Sequence, residues 1–336
     1  MKAVGYFKSL PIEAPDSLVD LDLPEPELGA RDVLVEVRAV SVNPVDSKTR
    51  LSAAPVGGRP RVLGFDAAGV IIRTGAGVQN FKTGDAVFYA GDLGRQGSNA
   101  QLQAVDERLI ALKPQSLDFT AAAALPLTGL TAYAMLFDRL RLQTPVHKGK
   151  NAVLIIGGAG GVGSMAIQLA RVNSDCTVIA TASRPQTADW AKKMGAHDVI
   201  NHRAPLLPQL QAAGIEQAAF VFSTTYSADY LPQYPALIAP QGRFGLIDSP
   251  ESFDITPFKQ KSVSIHWEYM ATRALFKTDD MAEQGKILTE IAALVDAGKL
   301  QPTGTEIMSS LSAATLRKAQ RKIETGTSIG KLVIEY

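Results

Sequence analysis

A chain of 336 residues is long for a single compact core, so two domains are the default expectation. Apolar residues make up 46% and charged residues 20%, which excludes a disordered chain, and a formal charge of +1 offers no basic field for nucleic acid or a membrane surface. The single cysteine, Cys176, excludes an internal disulfide and any zinc site built on two or more cysteines. No apolar run is long enough to span a bilayer, and Met1-Lys2-Ala3-Val4-Gly5 opens as an alternating strand rather than a signal sequence, so a cytoplasmic protein is expected.

From Met1 to about Val105 the chain is rich in Pro and Gly, with short runs such as Asp32-Val33-Leu34-Val35-Glu36-Val37 and Gly69-Val70-Ile71-Ile72. That texture predicts a β-rich, mostly antiparallel domain. From about Asn151 short apolar strands alternate with amphipathic helices, the pattern of a parallel sheet covered on both faces. The expected strands are Ala152 to Ile156, Val178 to Ala180, Val199-Ile200, Phe220 to Phe222 and Phe244 to Ile247. A helix over Met281 to Ala297 and a strand over Ile329 to Ile334 then return the chain to the first domain. The fold class is therefore α/β, a doubly wound parallel sheet with a second, β-rich domain.

Gly157-Gly158-Ala159-Gly160-Gly161-Val162-Gly163 carries the most chemical information. A lone glycine cluster is weak evidence, but this one follows a strand and precedes Val162, Met165, Ala166, Leu169 and Ala170 at helical spacing. In that context the glycines let the backbone turn tightly and approach a pyrophosphate at the positive end of the helix. About twenty residues further on, where an acid would hold the ribose of NAD, stands Thr181-Ala182-Ser183-Arg184. A hydroxyl beside a guanidinium suits a 2′-phosphate, so NADPH is the expected cofactor; the bland alternative for Arg184 is a solvated loop charge.

The chain resembles the medium-chain dehydrogenase/reductases, and within them the quinone oxidoreductase branch. The resemblance is carried by Ser41-Val42-Asn43-Pro44-Val45-Asp46, Leu63-Gly64-Phe65-Asp66-Ala67-Ala68-Gly69, Ala124 to Tyr133, Gly160 to Gly163 and Ser264 to Met270, in the family's order along nearly the whole chain. It implies a GroES-like catalytic domain over residues 1–126 and 271–336, a Rossmann domain over 127–270, and a homodimer joined through an edge strand near Ser262 to Tyr269. The residues it places at the cofactor are Thr131, Gly158, Ala159, Gly160, Gly161, Val162, Gly163, Ser183, Arg184, His202 and Phe244. Gly129 and Tyr133 match the same face, with packing as their alternative.

In zinc-dependent relatives the catalytic ion is held at positions matching Asn43, Phe65 and Leu127. None of these side chains is a good zinc ligand, and the four histidines show no ligand spacing, so a zinc-free enzyme is expected. Hydride transfer to an activated acceptor, a quinone or an α,β-unsaturated carbonyl compound, remains open without a metal. Asn43, Asp46 and Lys48 are the candidate catalytic groups: an amide donor to the developing oxyanion, a carboxylate that orients it, and a positive charge. Many quinone oxidoreductases carry Tyr where Lys48 stands, Asn43-Pro44 is also a good turn, and Asp46 suits a helix cap. Phe65, Trp267 and Met270 either wall an apolar pocket or belong to the core. The alternatives in activity are a 2-enoyl thioester reductase and a non-catalytic NADPH-binding sensor or scaffold; a zinc-dependent alcohol dehydrogenase is disfavoured.

Overall fold

Short β-branched runs between Gly and Pro turns give the N-terminal third its strands: β1 (Lys2–Tyr6), β2 (Val19–Asp22), β3 (Asp32–Val42), β4 (Arg61–Val62), β5 (Ala67–Thr74), β6 (Ala86–Tyr89), β7 (Leu102–Asp106) and β8 (Ile110–Leu112). Helices α1 (Pro44–Ser52) and α2 (Phe119–Ala123) follow β3 and β8, and α3 (Pro126–Tyr133) leads onward. The next segment alternates strand and helix: β9 (Ala152–Ile156), α4 (Gly161–Asn173), β10 (Thr177–Thr181), α5 (Pro185–Lys193), β11 (Asp198–Ile200), α6 (Leu206–Ala212), β12 (Ala218–Ser223), α7 (Ser227–Tyr230), α8 (Tyr234–Leu237), β13 (Ile238–Leu246) and β14 (Ser264–Trp267). The chain ends with α9 (Thr272–Leu275), α10 (Glu283–Asp296), β15 (Gly304–Ser309), α11 (Ala313–Glu324) and β16 (Lys331–Glu335). This computed structural model describes residues 1–55, 57–149 and 151–336. It divides into two units, Met1–Leu127 with Ala271–Tyr336, and Thr128–Met270.

The first unit is β-rich. Its larger sheet centres on β3, which pairs antiparallel with β5, β7 and β16, and a smaller sheet runs in the order β2-β1-β4. Val33, Leu34, Val35, Ala39, Val40, Ile71, Val87 and Phe88 have no exposed surface and form its core. Removing such side chains from water is the main favourable term holding the sheet together. The C-terminal segment is part of this unit: β16 lies against β3 with Leu332 opposite Val42 and Val333 opposite Ser41. Arg50, buried in α1, donates through Nε to Gln320 Oε1 at 2.8 Å and through Nη2 to Glu324 Oε1 at 2.6 Å, which fixes α1 against α11. The strand β15 and helix α11 have no counterpart in the sequence reading; α11 is largely polar and buries only Ala313, Leu316, Ala319 and Gln320.

The second unit is a six-stranded sheet, all neighbours parallel, in the order β11-β10-β9-β12-β13-β14. Every residue of β9 and of β12 is buried, as expected of strands covered on both faces. The order reverses between β9 and β12, and in open sheets of this kind ligands bind at the carboxyl ends of the strands at such a point. β14 lies at one edge of the sheet. No helix among the described residues is long and apolar enough to cross a membrane.

Candidate active site

Two places hold the residues singled out from the sequence, one in each unit. In the second unit β9 ends at Ile156 and the chain turns through Gly157, whose φ of 79° lies in the left-handed region. The Gly157 and Gly158 amides donate to Thr181 Oγ1 and Thr181 O, both at 3.0 Å, which ties the turn to the end of β10. Gly160 is the N-cap of α4 with no side chain capping the helix, and its carbonyl accepts from Ser164 N at 2.8 Å. Gly158, Ala159 and Gly163 are buried at the back of the turn, whereas Gly160, Gly161 and Val162 are half-buried at its front. The first amides of a helix have no intrahelical acceptor, so this uncapped start is a place for an anion.

Around the turn lie the ends of the neighbouring strands. Ser183 and Arg184 are half-buried after β10, with Arg184 at the N-cap of α5 and its amide donating to Thr187 Oγ1 at 3.1 Å. His202, two residues past β11, places Nδ1 3.2 Å from Thr181 Oγ1, and its ring centroid is 6.1 Å from that of Tyr230. Burial, followed by the neighbouring charge of Arg203, pushes the His202 pKa below its ordinary value, favouring the neutral ring. Ser183, Arg184 and His202 thus follow the carboxyl ends of neighbouring strands.

Phe244 is different. It is fully buried in β13, its ring 4.7 Å from Tyr234 and 5.5 Å from Phe253, so it is a core residue with no surface to offer a cofactor. Thr131 is buried on α3, and the Tyr133 ring stacks edge-on against Phe137 at 4.9 Å. Phe65 is buried, whereas Trp267 is 53% exposed.

Sequence reading missed a polar group at the ends of β12 and β13. Thr224 Oγ1 donates to Ile156 O at 2.7 Å, Ser227 N donates to Asp248 Oδ2 at 2.8 Å, and Ser227 Oγ donates to the other carboxylate oxygen. These residues carry no motif, but their position just past parallel strands beside the switch point is a signal that could have found them.

In the first unit Asn43 is the N-cap of α1, and Asp46, in the first turn, closes the cap by accepting from Asn43 N at 2.8 Å. Its other oxygen accepts from Gly64 N at 3.0 Å. Gly64 has a φ of 109°, and a Cβ there would lie 2.5 Å from Ser98 Oγ, so only glycine lets this amide reach Asp46. Asp66 accepts from Ser41 Oγ at 2.8 Å, Asn43 Nδ2 at 2.7 Å and Leu127 N at 2.7 Å. Against this group lies the ammonium of Lys331, from β16: Nζ is 2.6 Å from Asn43 Oδ1, 2.8 Å from Val42 O and 3.2 Å from Asp66 Oδ2.

Asn43, Asp46, Asp66 and Lys331 are all buried. Burial pushes Asp46 up to about 7, the two backbone amides and Lys331 opposing it. Asp66 is raised and Lys331 lowered by the same desolvation, each restrained by the other's charge. The amide of Asn43 points to Asp66 and Ser41 and its oxygen to Lys331. In this arrangement neither Asn43 nor Asp46 turns a polar group outward, unlike the sequence expectation that they face a substrate. Lys48, the third candidate, is exposed on α1.

Of the three positions matched to a catalytic zinc, Asn43 and the Leu127 backbone amide touch this group, and none carries a side chain of the kind zinc takes. Asn43 is hydrogen-bonded to Lys331 and Asp66, and Phe65 and Leu127 are buried apolar side chains. Among the described residues no group of three or more His, Cys, Asp or Glu could hold a metal ion. The glycine turn, by contrast, fits a dinucleotide: a Cβ built on Gly160 would meet nothing closer than Gly157 O at 3.6 Å, so the space before the helix start is open.

Residues 161–283 match the zinc-binding dehydrogenase family model, and residues 29–115 match the alcohol dehydrogenase GroES-like domain. With the fold described above, these matches define an oxidoreductase class, and the chain belongs to the medium-chain dehydrogenase/reductase superfamily, in its quinone oxidoreductase-like branch. It is 39% identical over 336 residues to a zinc-type alcohol dehydrogenase-like protein of Staphylococcus aureus (strain MSSA476), with 99% of each chain covered. A crystal structure from Rhizobium etli CFN 42, of a protein proposed to be a zinc-dependent alcohol dehydrogenase, superposes with a TM-score of 0.98 at 52% identity, covering 100% of this chain and 98% of that one. The quinone oxidoreductase from Coxiella burnetii superposes with a TM-score of 0.80 at 29% identity, covering 100% and 99%.

Proposed function

We propose that the protein is an NADPH-dependent, metal-independent reductase that transfers hydride to a quinone or an α,β-unsaturated carbonyl compound. The observation that carries this reading is the group around Asp66, where Asn43, Phe65 and Leu127 stand in place of metal ligands and the cation is the Lys331 ammonium. Oxidation of a simple alcohol needs a Lewis acid or strong base to take the hydroxyl proton, which this group does not supply. An acceptor already activated by conjugation needs only a positioned donor and relief of the negative charge that forms on its oxygen. The likeness to the Coxiella burnetii quinone oxidoreductase supports the same acceptor class.

NADPH, when bound, supplies the hydride. The front of the glycine turn, Gly160 to Val162, would take its pyrophosphate. Ser183 and Arg184, with no acid beside them, would take the 2′-phosphate, a guanidinium suiting phosphate geometry, and His202 would lie near the adenosine. Lys48 is the exposed cation of α1 that would oppose charge on the acceptor oxygen, while Asn43 and Asp46 hold the start of that helix. The position of β14 at the sheet edge supports a homodimer formed by strand pairing.

Incubation of the purified protein with NADPH and a panel of quinones, enones, enoyl thioesters and simple alcohols tests this. Quinones or enones should be reduced, before and after chelation alike. Tight NADPH binding with no acceptor reduced would leave a nucleotide-binding sensor, preference for thioesters would redirect the substrate class, and one zinc per chain lost together with activity would overturn metal independence.

A further inference from the structure

Lys331 is a charged side chain buried in the first unit, and it belongs to none of the motifs described above. Its three contacts, Val42 O, Asn43 Oδ1 and Asp66 Oδ2, are all acceptors. A neutral amine has two N–H groups and a lone pair, whereas an ammonium has three donors and no acceptor, so the three oxygens fit only the charged form. Asp66 is matched to it: its Oδ2 accepts from Ser41 Oγ and Asn43 Nδ2 beside the Lys331 ammonium, and its Oδ1 accepts from Leu127 N. Between the two charges the Asn43 amide has one favourable orientation, oxygen to the ammonium and nitrogen to the carboxylate. Reversing it would set NH₂ against NH₃⁺. Asn43 is also the N-cap of α1, and its backbone N–H donates to Asp46, so whatever fixes Asn43 fixes the first turn of the helix that carries Lys48.

We propose that Lys331 is a positioning residue, a tethered cation that occupies a small-cation site built from Val42 O, Asn43 Oδ1 and Asp66 Oδ2 and thereby sets the start of α1. The proposal rests on the metal-independent reading of this group. Its chemistry is that of a primary ammonium, so a free alkylammonium is the ligand the site should accept when the side chain is cut away.

The test uses the full chain with Lys331→Ala and Lys331→Met, followed by hydrogen exchange at the amides of Asn43, Gly64 and Leu127, the three backbone donors to Asp46 and Asp66. Both variants should exchange about tenfold faster there with β9 unchanged, and acceptor turnover should fall while the NADPH dissociation constant holds. Methylammonium should restore slow exchange in Lys331→Ala but not in Lys331→Met, whose side chain fills the space. Wild-type exchange in Lys331→Met, or no recovery of Lys331→Ala with methylammonium, overturns the proposal. Should neither variant fold, ¹⁵N-lysine-labelled wild-type protein decides: a slowly exchanging ammonium signal for Lys331 supports it, and a neutral amine overturns it. Exchange is read without any acceptor, so a protein that reduced none would overturn the proposed activity and leave this test intact.

Discussion

Asp46 and Asp66 are both buried beside α1, yet their surroundings ask different things of them. Asp66 meets an ammonium and three other donors, whereas Asp46 meets two backbone amides and lies near a second carboxylate, and burial carries it up to about 7. The sign follows from proton counting. A carboxyl whose folded pKa stands above its unfolded value of 3.8 binds more protons in the folded state, so stability falls as pH rises through the window between about 4 and about 7 and is level above it. Asp46→Asn removes that dependence. The difference in unfolding free energy, wild type minus variant, should therefore shrink between about pH 5 and about pH 8 in urea titrations; a constant or growing difference would show that Asp46 is ionised throughout. Neither the pH behaviour nor the inward turn of Asn43 was legible in the sequence. The loop Asn43-Pro44-Val45-Asp46 reads equally well as a turn, a cap or a set of substrate ligands, and what decides between them, Lys331, is 288 residues away from Asn43.

The elements of the second unit were the most legible, because strands buried on both faces are written as unbroken apolar runs. The five residues Ala152–Ile156 form β9 as read, and the glycine turn sits between strand and helix as its context required. Within that turn the glycines serve different ends, and substitution separates them. A Cβ on Gly163 would lie 2.2 Å from Gly157 O and 2.8 Å from Gly158 Cα, backbone atoms that cannot move aside. Gly163→Ala should destabilise the second unit by at least about 1–3 kcal/mol. Gly160→Ala meets only Gly157 O at 3.6 Å, so as an N-cap change it should cost less than about 1 kcal/mol while its methyl projects into the space before the helix. Thermal unfolding and NADPH titration of the pair should show Gly163→Ala losing stability and Gly160→Ala losing affinity. Equal affinity in Gly160→Ala and wild type would mean that no ligand backbone approaches the turn there. The polar positions at the strand ends, Thr224, Ser227 and Asp248, carry no motif and are common in any loop, so their only mark in the sequence is their place just past strands of the parallel sheet.

At the scale of the whole chain, the first unit is discontinuous, with Thr128–Met270 inserted between its halves. The returning segment supplies β16, which covers one side of β3, and α11, which receives Arg50. A chain ending at Met270 would leave β3 without its β16 neighbour along Ala39 to Val42, Asp66 without its counter-charge and Arg50 without Glu324. Breaking a buried ion pair by removing one partner alone costs about 3–5 kcal/mol. Such a truncation should lose the first unit to limited proteolysis while retaining a protected fragment spanning Thr128–Met270 that still binds NADPH. Proteolysis of both units at one rate would show that they fold only together. The return of the chain was foreseen from the final apolar strand, but its helix α11 was not, because Ala313–Glu324 is dominated by polar residues and presents only a narrow apolar stripe.

The distance in sequence between Asn43 and Lys331 has a consequence for how the protein is made. During synthesis the amino-terminal strands emerge first, carrying Asp66 with no cation to meet it, and they must wait while every residue of the inserted unit is added. Domains fold as units as they appear, so the nucleotide-binding half can be native while its companion is still incomplete. The glycine turn of the second unit can therefore form before the start of α1 is ordered, and the arrival of residue 331 is the event that completes the buried group around Asp66.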